Sequence, residues 1–167
     1  ECIRYNFMKI RHAYFIVAAL LFIAAIRAAS NIHEFSPTYD ETAYLSIGNY
    51  YVKTLDFSKR IDRPPLLALL GGIASLPANP QVPEWNVTTT QAESEKKFLY
   101  HMGNDLDSII FLTRSVSLVL YILLGIVVFL FAKDLYGQHA GLFALFLFTF
   151  EPNFLGHSIL ATSDVPV

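Results

Sequence analysis

The sequence has few of the residues that would indicate a cross-linked or nucleic-acid-binding protein. Its single cysteine, Cys2, excludes an internal disulfide framework and a cysteine-based zinc site. Charged residues make up only 16% of the chain, and a formal net charge of -2 argues against nucleic acid or any other strongly charged partner. What the chain has in excess is apolar residues, which account for 54% of it.

Three apolar stretches have the pattern of membrane spans. Residues 13–29 carry a single charge, residues 115–132 carry none, and a third stretch begins near residue 140. Because about 20 apolar residues in a helix cross a hydrocarbon core about 30 Å thick, the sequence predicts an all-α integral membrane protein with spans at 13–29, 109–132 and 140–157. Glu151, which a proline follows, predicts that the third helix is kinked or ends early. A cleavable signal peptide is the alternative for the first stretch.

Basic residues predict the orientation in the membrane. Arg4, Lys9 and Arg11 precede the first span, whereas residues 30–52, which follow it, contain no Lys or Arg. Because cytoplasmic loops are enriched in Lys and Arg, the N-terminus is predicted to be cytoplasmic. Residues 30–107 then form a long outer loop in the periplasm or in a lumen, and the polar residues after the third span lie on the same side.

Two helical patterns are present in the outer loop. Over residues 42–55, aromatic and aliphatic residues recur at helical spacing while Glu41, Asn49 and Lys53 are polar, which predicts an amphipathic helix on the membrane surface. Residues 66–76 are apolar but too few to span, so we expect them to lie in the interface or between the spans.

Asp40 and Glu41 stand side by side near the start of the outer loop. Thr38 and Glu41 have the spacing of a capping box, and Asp40 would lie in the first turn of the helix, so a structural role accounts for both acids. The functional interpretation is that one carboxylate, held where water meets lipid, is a general base for an acceptor hydroxyl. The two interpretations are compatible, because a helix N-terminus keeps an acid ionised, as a base must be.

Asp164, in the sequence ATSDVPV, is the second acidic candidate. Taken alone, an aspartate in that setting is typical of a turn before a proline. The predicted topology, however, places Asp164 on the same side of the membrane as Asp40 and Glu41. We therefore expect these acids to form a carboxylate cluster.

Arg114 lies just inside the outer end of the second predicted span. A lone cation costs about 2.5–3.5 kcal/mol near the middle of a bilayer and less towards the interface, so Arg114 is expected to have an anionic partner. The sequence offers Asp107, a lipid headgroup or the phosphate of a bound lipid carrier. Arg63 and His157 are further polar candidates. No second histidine stands at metal-ligand spacing from His157, so the spacing predicts no metal site.

Taken in order, these motifs resemble a known enzyme family. YDETAY, RPPLLALL, LTRSVSLVL and FTFEPNFLGHSILATSD follow one another and are similar to the N-terminal part of polyprenyl-phosphate-dependent glycosyltransferases with the GT-C fold. The resemblance is to the protein O-mannosyltransferase-like group and to the lipid A aminoarabinose transferases. It covers nearly the whole chain, and its specific parts are the Asp-Glu pair after the first span and the polar pattern over residues 152–164.

The resemblance implies roles for the acids and for the residues near them. Asp40 matches the family's catalytic acid in the first outer loop, Glu41 its neighbour, and Asp164 the acid of the second outer loop. Arg63 and Arg114 match less closely and fall near positions that meet the donor phosphate or brace the loop. Together with His157 and Tyr44, they are the candidate substrate-binding residues. The chain begins with Glu1 and stops at Val167, so we interpret residues 1–167 as the N-terminal part of a catalytic domain and expect this part alone to be inactive.

The implied reaction moves a sugar, with inversion, from dolichyl- or undecaprenyl-phosphate to a hydroxyl of a protein or glycolipid on the outer face. Some enzymes of this fold require a divalent metal and others do not. The motifs favour the bacterial inner membrane over the endoplasmic reticulum. Two alternatives stay open: a transporter subunit, in which Arg114 and the outer acids line a polar path, and a non-enzymatic membrane assembly protein whose outer loop binds a partner.

Overall fold

The structure, a computed structural model, describes residues 2–32, 36–59, 64–85 and 90–162, with only the backbone described for residues 2–11. The described residues are helical throughout apart from their connections. In chain order the helices are α1 (Cys2–Ala29), α2 (Tyr39–Thr54), α3 (Pro65–Ser75, followed by a 3-10 turn over Leu76–Ala78), α4 (Gln91–Tyr100), α5 (Leu106–Tyr136), α6 (Gln138–Phe150) and α7 (Pro152–Ser158).

Two of the described helices are long and apolar enough to cross a membrane. The part of α1 over His12–Ala29 has a mean hydropathy of 1.9, and α5 reaches 2.7. At 1.5 Å per residue, the 31 residues of α5 extend about 46 Å, which exceeds the thickness of the hydrocarbon core. The first and second predicted spans therefore coincide with helices suited to a membrane, in agreement with a helical membrane protein.

The third predicted span, residues 140–157, is divided into two helices. α6 ends at Phe150, and α7 begins at Pro152 after an extended Glu151. The proline has no backbone N–H to continue α6, and the Glu151 carboxylate instead caps α7 by accepting a 2.7 Å hydrogen bond from the Phe154 N–H. With 13 residues, α6 extends only about 20 Å. The expected break at Glu151 is confirmed, whereas a third membrane crossing stays a prediction.

α1, α5, α6 and α7 pack around one apolar core and form the inner bundle. Gly137 has a φ of 89°, a left-handed conformation that suits glycine, and it joins α5 directly to α6. A Cβ atom at Gly141 would lie 2.9 Å from the Phe129 carbonyl oxygen, so glycine permits the close contact of these two helices. Nζ of Lys133, near the end of α5, lies 3.3 Å from the hydroxyl of Tyr14, near the middle of α1, because the two long helices run antiparallel.

α2, α3 and α4 form a second layer, the outer layer, which packs against the first half of α5. α2 and α3 touch through their backbones. A Cβ atom would lie 2.1 Å from the Ala68 carbonyl oxygen if placed at Gly48, and 2.3 Å from the Gly48 carbonyl oxygen if placed at Gly72. Inside the same contact the Ser75 hydroxyl donates a 2.8 Å hydrogen bond to the Asn49 side chain. Small residues and interhelical hydrogen bonds are also what joins helices within membranes.

The predicted amphipathic orientation of residues 42–55 is wrong. Glu41 and Asn49, two of its expected water-facing residues, are each only 1% exposed, and only Lys53 of the three lies on the surface. The periodicity identified the helix correctly, but α3 and α5 provide partners for the polar side chains, so this side of α2 faces the interior. Polar groups can be buried in this way when their hydrogen bonds are satisfied.

The close contact between α2 and α3 leads to a first prediction. We expect Gly48→Ala to lower the free energy of unfolding by about 1–3 kcal/mol, because the new methyl group would meet backbone atoms that cannot move aside independently. Gly156→Ala in α7 is the matched control, since a Cβ atom there has no neighbour within 4 Å. Unfolding of the full-length protein in detergent measures both. Equal stability of the two variants would contradict the predicted contact.

Candidate functional site

The predicted capping box is present at the start of α2. The Thr38 backbone N–H and hydroxyl both donate to Oε2 of Glu41, at 2.8 Å and 3.2 Å. Asp40 occupies the first turn of the same helix and is exposed. The helix start therefore directs one carboxylate of the Asp-Glu pair into the protein and leaves the other at the surface.

Glu41 and Arg114 form a buried ion pair between α2 and α5. Nε of Arg114 donates to Oε1 of Glu41 at 2.9 Å, and Nη2 donates to Oε2, also at 2.9 Å. The two side chains are each 1% exposed. Two parallel N–H···O bonds are the strongest arrangement of a guanidinium group with a carboxylate, and they fix the relative orientation of the two groups.

The remaining donors of Arg114 bind the connection between α1 and α2. Nη1 donates to the Ile32 carbonyl oxygen at 2.8 Å, and Nη2 also donates to that of Ser36 at 3.4 Å. Every nitrogen of the guanidinium group is thus bonded to the protein. Arg114 has the anionic partner that was expected of it, but that partner is Glu41, which was not among the three candidates.

The segment that follows α7 also reaches the Glu41 carboxylate. The Ala161 backbone N–H donates to Oε1 of Glu41 at 2.8 Å, across a sequence separation of 120 residues. Ile159, Ala161 and Thr162 are all less than 5% exposed. The chain from Ala161 leads, three residues later, to Asp164, which lies outside the described residues. The structure therefore brings the start of α2 and the segment before Asp164 to the same carboxylate.

The surroundings of Glu41 hold it in the ionised form. Burial raises its pKa, but the hydrogen bonds from Arg114, Ala161 and Thr38, together with the charge of Arg114, outweigh burial and leave the pKa below the ordinary value of 4.5. Both oxygens already accept hydrogen bonds from the protein. A carboxylate in this state is suited to holding chain segments together rather than to removing a proton from a substrate.

The other predicted site residues are distributed as follows. Asp40 is exposed beside Glu41, and His157 is exposed on α7. Tyr44 is 1% exposed and belongs to the apolar core shared by α2 and α3. Arg63 and Asp164 lie outside the described residues. Their roles in catalysis and in substrate binding stay predictions.

Sequence reasoning missed the pairing of Glu41 with Arg114 and the contribution of the Ala161 N–H. The first had a signal: Arg114 needed an anion, and Glu41 was an acid predicted on the same side of the membrane. The second had none, because every residue except proline carries a backbone N–H, and nothing in the side-chain pattern marks the one that is used.

Some members of the resembled family require a divalent metal. Among residues 2–32, 36–59, 64–85 and 90–162, no three His, Cys, Asp or Glu side chains are grouped so that they could hold a metal ion. Glu41, the buried acid of the site, is already bound by nitrogen and hydroxyl donors.

The buried ion pair leads to a second prediction. We expect Arg114→Met to lower the free energy of unfolding by about 3–5 kcal/mol, because it leaves the Glu41 charge buried and unpaired. Replacing both partners, as Glu41→Leu with Arg114→Met, should cost clearly less than the sum of the two single changes. Denaturant unfolding of the three variants and the wild type forms a double-mutant cycle. Additive effects would show that the two charges are not coupled.

The lowered pKa of Glu41 leads to a third prediction. Because its folded-state pKa lies below 4.5, the ionised carboxylate stabilises the fold fully above that value, and this stabilisation is lost as the pH falls through the folded-state pKa. We expect the stability of the wild type to fall more steeply than that of Glu41→Gln as the pH is lowered below 4.5. Unfolding measured at a series of pH values tests this. The same pH dependence in both proteins would contradict it.

Comparison with protein-family models, with curated proteins and with solved structures gives no match for this chain. The resemblance to the GT-C glycosyltransferases therefore rests on the order and spacing of its motifs.

Proposed function

We propose that this chain belongs to a polyprenyl-phosphate-dependent glycosyltransferase, which moves a sugar from a lipid phosphate to a hydroxyl acceptor on the outer face of a membrane. The observation that carries the proposal is the hydrogen bond from the Ala161 N–H to Glu41. It joins the two most specific motifs of the resemblance, the Asp-Glu pair and the pattern over residues 152–164, which are distant in the sequence. Motifs that meet in the fold are what a shared active site requires.

Asp40 is the proposed general base. It is exposed in the first turn of α2, where the partial positive charge of the helix N-terminus favours an ionised carboxylate. The capping box and the buried Glu41 hold the backbone on either side of it. A base that removes the proton of an acceptor hydroxyl has to be accessible and fixed in position, and Asp40 has both properties.

The rest of the chemistry requires little from the protein. A sugar on a lipid phosphate already has a good leaving group, so one displacement by the acceptor oxygen breaks the bond to the phosphate and inverts the anomeric carbon. The lipid tail can stay in the membrane beside α1 and α5 while the sugar reaches the outer layer. We infer that Asp164 completes the acidic site.

The phosphate of the donor needs a cation, and Arg114 is a poor choice for it. Every nitrogen of its guanidinium group donates to Glu41 or to a backbone carbonyl group. We therefore assign Arg114 a supporting role. Of the two predicted arginines, Arg63 is the one that we propose contacts the phosphate. The donor is taken to be dolichyl- or undecaprenyl-phosphate-linked, the acceptor a protein or glycolipid, and the location preferably a bacterial inner membrane.

The transporter alternative has less support. It requires charged residues that line a path through the membrane. Arg114 is instead paired with Glu41, and Arg27, the charged residue within the first span, donates a 2.8 Å hydrogen bond to the Thr149 carbonyl oxygen at the end of α6. Both cations are used to join helices, which favours the enzyme over a conducting pathway.

Asp40→Asn tests the proposed reaction. We expect it to lower sugar transfer from a labelled polyprenyl-phosphate donor about 10²- to 10⁴-fold, because it removes the base and keeps the size of the side chain. Asp107→Asn is the matched control, since Asp107 is an exposed acid in the first turn of α5. Both are measured with full-length protein in membranes at equal expression. Intact transfer in Asp40→Asn would exclude Asp40 as the base, and no transfer by the wild type from any donor would overturn the proposed function.

A further inference from the structure

We propose that Glu41 is a positioning residue, whose buried carboxylate holds the segment 159–162 against the first turn of α2. This role goes beyond the proposed sugar transfer and does not depend on it. It assigns to Glu41, which the sequence placed among the catalytic acids, a different task from that of Asp40.

The two oxygens of Glu41 accept hydrogen bonds from different parts of the chain. Oε2 accepts from the Thr38 N–H and from Nη2 of Arg114, which joins the start of α2 to α5. Oε1 accepts from Nε of Arg114 and from the Ala161 N–H, which joins α5 to the segment after α7. Because Arg114 donates to both oxygens, the carboxylate cannot rotate without breaking charge-assisted hydrogen bonds. The position of Ala161 is thus tied to that of α2.

A second capping box in the same molecule shows what is particular to Glu41. In α4, Glu93 accepts hydrogen bonds from the Thr90 N–H and hydroxyl, both at 2.9 Å, and it is exposed. Capping a helix therefore requires neither burial nor a partner arginine. Glu41 makes the same cap but is 1% exposed and also binds Arg114 and Ala161. These additional contacts need an explanation other than capping.

The contact with Ala161 differs from the local backbone hydrogen bonds of its segment. The Leu160 N–H donates to the His157 carbonyl oxygen at 3.2 Å, a local bond that any turn could make. The Ala161 N–H instead reaches a carboxylate on a different layer of the fold. Hydrogen bonds to charged groups contribute more than neutral ones, so this bond can decide where the segment lies. Its loss should release the segment without unfolding the helices.

Hydrogen exchange in Glu41→Gln tests the proposal, with Glu93→Gln as the matched control. The neutral amide of glutamine weakens the contact with the Ala161 N–H in either orientation, because a charge-assisted hydrogen bond is replaced by a neutral one or by an N–H group that faces another N–H group. We expect amide exchange in residues 159–162 and in the first turn of α2 to become about 10-fold faster or more, while the centres of α1 and α5 keep their protection. Glu93→Gln should accelerate exchange only at the start of α4.

Unchanged exchange in residues 159–162 of Glu41→Gln would overturn the proposal. If this variant loses protection throughout, Ala161→Pro replaces it, because proline removes the N–H donor and leaves both members of the ion pair in place. Faster exchange confined to the neighbours of residue 161 would then support the proposal. Undisturbed exchange at Leu160 and Thr162 in that variant would overturn it.

Sugar transfer provides a second readout that separates positioning from catalysis. If Glu41 positions the site, Glu41→Gln lowers kcat but keeps the pH profile of the residual activity, because the base is still present. A pH profile that loses its acidic limb would identify Glu41 itself as the base and overturn the assignment. The exchange experiment decides the positioning role even if the wild type transfers no sugar, so failure of the proposed function and failure of this inference are distinguishable.

Discussion

The arrangement of α2, α5 and the segment after α7 depends on one interaction, the buried ion pair between Glu41 and Arg114. A guanidinium group buried on a long apolar helix requires an anion, and a buried carboxylate requires hydrogen-bond donors. Each satisfies the other here. Arg114 also donates a hydrogen bond to the connection between α1 and α2, and Glu41 also accepts one from the segment after α7. The pair thus joins α2 to segments whose Ile32 and Ile159 also lie in the apolar core of the inner bundle.

The pair can form only because the outer layer lies close against α5. Gly48 and Gly72 let the backbones of α2 and α3 touch, and Gly71 packs against Thr113, where an added Cβ atom would lie 2.5 Å from the threonine methyl group. Thr113 directly precedes Arg114, so the apolar contact and the ion pair lie at the same level of α5. Small residues fix the separation of the helices, and the charges fix their register.

The sequence predicted the parts of the fold that depend on local properties, and missed those that depend on partners. Apolar runs located α1 and α5, the Glu151-Pro152 pair located the end of α6, and the Thr38 spacing located the capping box. The burial of Asn49 was not predictable, because periodicity shows where polar residues recur but not whether Ser75 on another helix satisfies them. The same reason explains why the site was predicted only in part. The sequence identified Asp40 and Glu41 as acids of the site, but not that Glu41 is buried against Arg114 while Asp40 is exposed.

Adjacent acids at a helix start are forced into different surroundings by helix geometry. Successive residues are rotated by about 100°, so Asp40 and Glu41 cannot both point at α5. Glu41 points inward and is neutralised by Arg114, so the negative charge next to Asp40 is compensated within the protein. The same pair fixes the first turn of α2, so the backbone that carries Asp40 is held in place by the buried neighbour of Asp40. This links the stability of the fold to the chemistry proposed for Asp40.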